Sequence, residues 1–388
     1  MVSSTIIDLP PRRFEAPDVT ERVADILNHV RRFRWSAVPD AGGSSAGMDF
    51  AILQRICHRW INGYDWEETA ALLARFPQYH AEVEGVDIHF LHVRGSRPRP
   101  ILLCHGWPGS VLEFTGVIER LAFPDRFGGR AEDGFDVIVP ALPGYGYSSR
   151  PPAPLGPRAT AALFNRLMTG CLGYPRYMAQ GGDWGSAVTA WMAHDFPDQI
   201  IGLHLNMAIV LSSHVQEIED GRDYLAHKQA IWAREGGYAI QQGTRPQSLA
   251  FAMADSPVGM MAWILDKFNC WSDQSEPDLF KRFPIDLLIG NVMLYLVTDS
   301  FATSTWMYKG FRNEASDRLP PNGKINVPTA FAAFPDPVFV PPPRAILEQA
   351  YNLCRLTPME RGGHFAAMEA PGPFAQDVTL FGRRIDFS

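Results

Sequence analysis

The stretch Tyr177-Met-Ala-Gln-Gly-Gly-Asp-Trp-Gly-Ser186 constrains the fold of this 388-residue chain more than any other. It reads as a short apolar strand, a tight turn with Asp183 at the apex, and a helix opening behind it. Gly181 and Gly185 flank Asp183 at minus two and plus two, the spacing of a strand-to-helix elbow that presents its central residue. Glycine belongs at both flanks because a turn this sharp leaves no room for a Cβ.

The rest of the chain supplies the alternation that such an elbow belongs to. Residues 86–93 alternate as a half-buried strand, and 101–104, 135–140 and 201–205 are short apolar runs ending at turn signals. Helical patterns over 160–172 and 186–195 separate them. Strands alternating with helices predict an α/β fold, a mostly parallel sheet with helices on both faces. Ahead of this, residues 1–95 read as mostly helical. Val23, Ile26, Leu27 and Val30 share one helical face, and 50–60 and 65–75 continue the pattern, with Asp65 as N-cap and Glu68 three residues on. From 211 to 320 the alternation gives way to helical sequence rich in aromatics, Trp232, Tyr238, Trp271 and Tyr308 among them. The strand signal returns at 325–334. The expected division is an N-terminal extension (1–95), a first core segment (96–210), a helical lid (211–320) and a second core segment (321–388).

Bulk properties exclude several classes. A hydrophobic content of 46% is ordinary for a globular protein, and a net charge of −7 leaves no footprint for nucleic acid. No apolar run reaches the roughly 18 residues of a membrane helix, and residues 1–13 lack the basic and apolar regions of a secretory signal. The five cysteines (Cys57, Cys104, Cys171, Cys270, Cys354) are odd in number and without CxxC spacing. That argues against a disulfide framework or zinc site and points to a reducing cytoplasm.

Four features carry chemistry. His105-Gly-Trp-Pro-Gly-Ser110 follows an apolar run, where a turn can aim the Trp107 N–H at the nucleophile, with the Trp184 N–H as second donor to a developing oxyanion. Alone it would equally be a glycine-proline turn. Asp183 alone would be a helix cap; the glycines and the preceding strand make it a nucleophile. Most elbows carry serine there, and a carboxylate moves the chemistry from acyl transfer toward displacement at a saturated carbon. Arg361-Gly-Gly-His-Phe-Ala-Ala-Met-Glu369 places His364 last in the order nucleophile, acid, histidine. Asp336, the one carboxylate close behind the 325–334 strand, is the candidate acid, against the plainer reading of a turn residue between two prolines. His58, His80 and His194 lie on helix or loop patterns and suggest no chemistry.

These motifs resemble those of the microsomal-type epoxide hydrolases of the α/β-hydrolase superfamily, along nearly the whole chain. The matching stretches include Phe76-Pro, Val86-Asp-Ile-His-Phe, His105-Gly-Trp-Pro-Gly-Ser110 and Leu142-Pro-Gly-Tyr-Gly-Tyr-Ser148. Gly181-Gly-Asp-Trp-Gly185, Asp255-Ser-Pro-Val-Gly259, Asn291-Val-Met-Leu-Tyr295 and Arg361-Gly-Gly-His-Phe-Ala-Ala367 continue the match. The resemblance implies an α/β-hydrolase fold with a lid, and it puts the family's two lid tyrosines on Tyr238, beside Gln242 and Thr244-Arg-Pro246, and on Tyr308. There is one departure in the triad. The family's acid usually stands two residues after Phe-Pro, where this chain has Pro337, so Asp336 comes one position early. The membrane-anchoring helix of the mammalian members has no counterpart here, so a soluble, cytoplasmic protein is expected.

The implied activity is hydrolysis of an epoxide to a vicinal diol, an ether-bond hydrolysis. An alkoxide nucleophile would leave an ether that water cannot cleave, whereas a carboxylate leaves a hydrolysable ester. Tyr238 and Tyr308 would donate to the epoxide oxygen, His364 held by Asp336 would activate water, and Trp107 and Trp184 would hold the oxyanion. No metal or organic cofactor is implied. The expected partner is a small-molecule epoxide, bulky or aromatic to suit the lid, with neither nucleic acid nor membrane, and a homodimer is left open. The arginine-rich composition resembles actinobacterial members from secondary metabolism, including enediyne antibiotic biosynthesis. Two alternatives stay open: a haloalkane dehalogenase using the same aspartate nucleophile, and a non-catalytic ligand-binding homologue of the fold.

Overall fold

The computed structural model describes residues 10–218 and 220–387. A nine-stranded sheet organises them. Its strands are β1 (Arg12–Arg13), β2 (Gln78–Val83), β3 (Val86–Val93), β4 (Pro100–Cys104), β5 (Asp136–Pro140), β6 (Tyr177–Gly181), β7 (Ile200–Leu205), β8 (Ile325–Ala333) and β9 (Tyr351–Pro358). They lie in the order β1-β2-β3-β5-β4-β6-β7-β8-β9. From β5 to β9 every pairing is parallel, and β1, β2 and β3 extend the sheet antiparallel beyond β5. The fold is the expected one: a mostly parallel sheet in which β4, β5 and β6 are buried along their whole length. Continuous apolar runs suit strands covered on both faces.

The first 95 residues are less uniformly helical than their sequence suggests. Helices Thr20–Arg31, Phe50–Asn62 and Trp66–Ala74 are present, with Asp49 and Asp65 capping the latter two. The Asp65 carboxylate accepts from the Glu67 N–H at 3.0 Å. The departure from the helical pattern is β2. It pairs with β3 across a two-residue turn, Glu84-Gly85, both at positive φ (50° and 81°), the geometry that suits a tight hairpin. Glutamate at the first turn position carries no hairpin signal. The helix expected over 160–172 also divides, into Pro157–Arg166 and a π-helical turn at Leu167–Cys171.

Between β7 and β8 the chain runs through a helical segment that includes Gly221–Glu235, Gly237–Thr244, Pro257–Trp271, Ile285–Val297 and Trp306–Glu314. Ile285–Val297 is buried from Leu288 to Leu296 and packs against the N-terminal helices Phe50–Asn62 and Trp66–Ala74. The Arg59 guanidinium donates to both Asp286 oxygens at 2.8 and 2.6 Å. Gly290 admits Thr69, whose Oγ1 would lie 2.6 Å from any Cβ there. Among the described residues no single helix is long and apolar enough to cross a membrane.

Candidate active site

The elbow forms as its glycines require. A Cβ at Gly185 would sit 1.9 Å from the Cys104 carbonyl oxygen, and one at Gly181 2.1 Å from the Gly185 carbonyl oxygen. Neither glycine needs positive φ; that conformation falls on Asp183 itself, at φ 45°. A non-glycine residue held there is strained, a condition that persists where the surroundings over-determine it. Gly182 is the N-cap and Asp183 opens the helix Asp183–Asp195, so the nucleophile candidate stands at the C-terminal end of β6, near the middle of the sheet.

The turn after β4 brings a donor to it. The Trp107 N–H donates to Asp183 Oδ1 at 2.8 Å, and Gly106 faces the same carboxylate, leaving 2.2 Å between a built Cβ and Oδ1. The Trp184 N–H, second in its helix, lies in the first turn, where no intrahelical acceptor is available. His105 supports the turn from within. Its Nε2 accepts from the Leu142 N–H at 3.1 Å and its Nδ1 faces the Gly106 carbonyl at 3.0 Å. Burial pushes its pKa down to about 4, so it stays neutral and can accept. The helix Ile285–Val297 holds the turn from the other side. Asn291 Nδ2 donates to the Pro108 carbonyl at 2.8 Å, Ser110 Oγ donates to Asn291 Oδ1 at 2.8 Å, and the Tyr295 hydroxyl donates to the Gly109 carbonyl at 2.6 Å.

His364 arrives on the loop after β9. Gly362 is at φ 96°, which favours glycine, while Gly363 approaches the backbone at Trp271 and Ser272 too closely for a Cβ. The Glu369 carboxylate fastens the loop by accepting from the Phe365 and Asp273 N–H groups at 2.9 and 2.7 Å. The His364 ring meets Trp271 and Phe365 edge-on and Phe339 at a tilt. Its Nδ1 is 2.8 Å from Asp336 Oδ2, and its Nε2 is 3.3 Å from Asp183 Oδ2. Asp336 Oδ1 in turn accepts from the Val338 and Phe339 N–H groups at 2.9 and 2.8 Å. Asp336 therefore lies against His364 despite its early position in sequence. Burial acts to lower the His364 pKa, but the carboxylates of Asp336 and Asp183 outweigh it and push the pKa up to about 10.

The lid closes over the same point. Tyr238 stacks on Trp107, with ring centroids 5.3 Å apart and planes at 11°. Tyr308 meets Trp184 edge-on at 4.7 Å and Tyr238 at 5.7 Å. Asp183, Trp184, Tyr238 and Tyr308 line one cavity of about 430 Å³, walled further by Leu225, Trp232, Ile240, Phe311 and Phe339. Burial and the nearby Asp183 charge push both tyrosine hydroxyls well above their usual range, and the buried Tyr308 hydroxyl has no hydrogen-bond partner. All seven candidates from the sequence gather within this one region.

Two segments match family models: residues 11–114 the "Epoxide hydrolase N terminus", and residues 99–257 the "alpha/beta hydrolase fold". The chain is 33% identical to Epoxide hydrolase 1 of Oryctolagus cuniculus over 405 residues, covering 95% of this chain and 88% of that one. The chain belongs to the epoxide hydrolases. As an epoxide hydrolase it is a hydrolase of ether bonds. Solved structures agree. The juvenile hormone epoxide hydrolase of the silkworm Bombyx mori superposes with a TM-score of 0.82 at 30% identity, covering 97% of this chain and 95% of that one. The Aspergillus niger epoxide hydrolase does so with 0.81 at 29%, covering 97% and 96%.

In this epoxide hydrolase two polar side chains beside Asp183 carry no signal in the sequence. Glu113 follows the His105–Ser110 turn by three residues, and Gln180 precedes the elbow glycine. Neither belongs to a spacing pattern that would have singled it out. Burial and the Asp183 charge push Glu113 up to about 8, against the Gly106 backbone and His364, which pull it down.

Proposed function

We propose that this epoxide hydrolase opens its substrate to a vicinal diol through a covalent ester on Asp183. The observation that carries the reading is the position of the Asp183 carboxylate. It forms the wall of the cavity that Tyr238 and Tyr308 share, while its other contacts are the Trp107 N–H and His364. Oδ1 is engaged by the Trp107 N–H, which leaves Oδ2 as the attacking atom. Oδ2 bonds to an epoxide carbon, the C–O bond breaks, and the oxygen leaves as an alkoxide that takes a proton from the tyrosine pair. Hydroxyls with raised pKa stay protonated until that moment.

His364 changes role between the two steps. With both carboxylates charged it carries a proton at neutral pH and is no base. Esterification removes the Asp183 charge, one of the two that hold the proton; His364 then gives its proton up, and the tyrosinate regains one, so that the two changes balance through solvent. The neutral imidazole then takes a proton from water as water bonds to Cγ of the ester. The electron pair moves onto Oδ1, where the Trp107 and Trp184 N–H groups meet it. Collapse breaks the Cγ–Oδ2-alkyl bond, the departing alkoxide takes the proton of the newly added hydroxyl to become the diol, and the Asp183 carboxylate and the His364 imidazolium are restored. Protons balance over the cycle, with water the sole co-reactant.

The apolar and aromatic cavity walls favour a bulky or aromatic epoxide. Haloalkane displacement by the same nucleophile has no use for two tyrosine donors, and family membership favours the epoxide. The decisive experiment is a single turnover of a styrene-type epoxide in ¹⁸O water. Label enters the Asp183 carboxylate and not the first-formed diol; label in that diol refutes the ester.

A further inference from the structure

Asp183 separates two spaces. His364 is not among the residues lining the 430 Å³ cavity that Tyr238 and Tyr308 border; it lines a second, small chamber with Asp183, Glu113, Gln180 and Asn206. That chamber offers about 10 Å³ to the centre of a water molecule, on the order of the room one water needs. A dry apolar void of this size would be unremarked packing slack, but this one is lined by polar groups in want of partners. Gln180 Nε2 donates to Asn206 Oδ1 at 2.9 Å, so its oxygen is the atom left over, and Gln180 Oε1 is buried without a hydrogen-bond partner. His364 Nε2 is likewise buried without one; it stands 3.3 Å from Asp183 Oδ2, in ion-pair contact only.

Glu113, which draws on the Gly106 backbone, is the third polar group in the chamber wall. Its carboxyl folds back over Gly109, where a Cβ would lie 1.5 Å from Glu113 Oε1. Any larger residue at 109 would expel it, so the glycine keeps a carboxyl in the chamber wall. Buried carboxyls without a cationic partner are costly, and the steps above make no use of this one.

We propose that the small chamber holds the hydrolytic water, and that Glu113 and Gln180 are positioning residues whose oxygens accept its second O–H while His364 Nε2 takes the first. The proposal rests on the covalent Asp183 reading and deepens it. Water then approaches Cγ from the side of the carboxylate that the epoxide does not occupy. Its bond to Cγ forms as one O–H proton passes to Nε2, and Glu113 and Gln180 remain hydrogen-bond acceptors throughout. An alkyl group filling the lid cavity therefore does not have to make way for water.

The test uses Glu113→Leu, which keeps the bulk and removes the acceptor, Glu113→Gln, which keeps a carbonyl oxygen, and Gln180→Leu. Ester formation and decay are read separately by rapid quench and intact-protein mass, with a chromophoric epoxide. Glu113→Leu should form ester at the wild-type rate and hydrolyse it about tenfold more slowly, roughly what one lost hydrogen bond in the transition state costs. Its kcat and KM should fall together with kcat/KM unchanged, and Glu113→Gln should recover most of the loss. Gln180→Leu should behave as Glu113→Leu does, and it decides the matter should the latter fail to fold. Equal loss in formation and decay, or no recovery in Glu113→Gln, would make Glu113 a structural residue and overturn the proposal. An ester that decays at one rate in all variants defeats the proposal alone, whereas absence of any ester in the wild type defeats the covalent reading with it.

Discussion

Replacing Asp336 with asparagine preserves the side-chain shape and removes one acceptor. Asp336 Oδ1 accepts from two backbone N–H groups, Val338 and Phe339, at 2.9 and 2.8 Å, and Oδ2 faces His364 Nδ1 at 2.8 Å. The single oxygen of asparagine is drawn to the backbone pair, because leaving buried donors unpaired costs about 1–3 kcal/mol each. Its NH₂ group then faces Nδ1, which must become an acceptor, so the neutral ring carries its proton on Nε2. An imidazole protonated at Nε2 cannot take a proton from water. The expected loss is that of a general base, about 10²- to 10⁴-fold in ester hydrolysis. Ester formation asks no base of His364 and should stay close to wild type. Rapid quench with intact-protein mass should therefore find nearly one alkyl ester per Asp336→Asn enzyme under turnover, decaying slowly. Unchanged turnover would remove Asp336 from the reaction. Loss of ester formation in the same proportion would make its role structural.

Two further outcomes follow from the same geometry. Tyr238→Phe and Tyr308→Phe should each slow ester formation by about 10²-fold, the usual cost of one oxyanion donor, while an ester preformed on Asp183 decays at the wild-type rate; slower decay would contradict their assignment to epoxide opening. Stability should fall with rising pH. The folded pKa of His364 is raised from 6.5 to about 10, so the stabilisation of its charged form is complete below 6.5 and is lost as pH rises through about 10. Glu113, raised from 4.5 to about 8, acts in the same direction over that window, because the unfolded chain ionises there while the folded state keeps the carboxyl protonated. Thermal midpoints measured from pH 6.5 to 10 should decline, and less steeply in Asp336→Asn; a flat profile in the wild type would refute the assigned shift.

What was legible in the sequence was what local backbone geometry dictates. An elbow needs small residues within two positions of its apex, and the clashes awaiting a Cβ at Gly181 and Gly185 state the reason in distances. The strain was not legible, since nothing in the letters puts positive φ on Asp183 rather than on a glycine. Tyr238 and Tyr308 were reached through family resemblance, not periodicity, because a lid residue meets the elbow only by long-range packing. The offset of Asp336 dissolves for a physical reason. Its side chain is held by the N–H groups two and three residues on, so a local turn aims the carboxylate, and its distance from Phe-Pro does not by itself fix where it points.

The same long-range logic bears on the N-terminal extension, whose sequence contains none of the seven candidate residues. Helices Phe50–Asn62 and Trp66–Ala74 grip Ile285–Val297 through Arg59 with Asp286 and through Thr69 against Gly290. That helix in turn holds the carbonyls of Pro108 and Gly109 through Asn291 and Tyr295. The turn so fixed carries the Trp107 N–H, and a donor to a developing oxyanion must be in place before the charge appears. An exposed ion pair such as Arg59–Asp286 adds little stability, so the extension acts mainly by burying one face of the lid helix. Loosening that face would cost the hydrolase first in the placement of the Trp107 N–H, since Asn291 and Tyr295 reach the turn only while Ile285–Val297 keeps its seat.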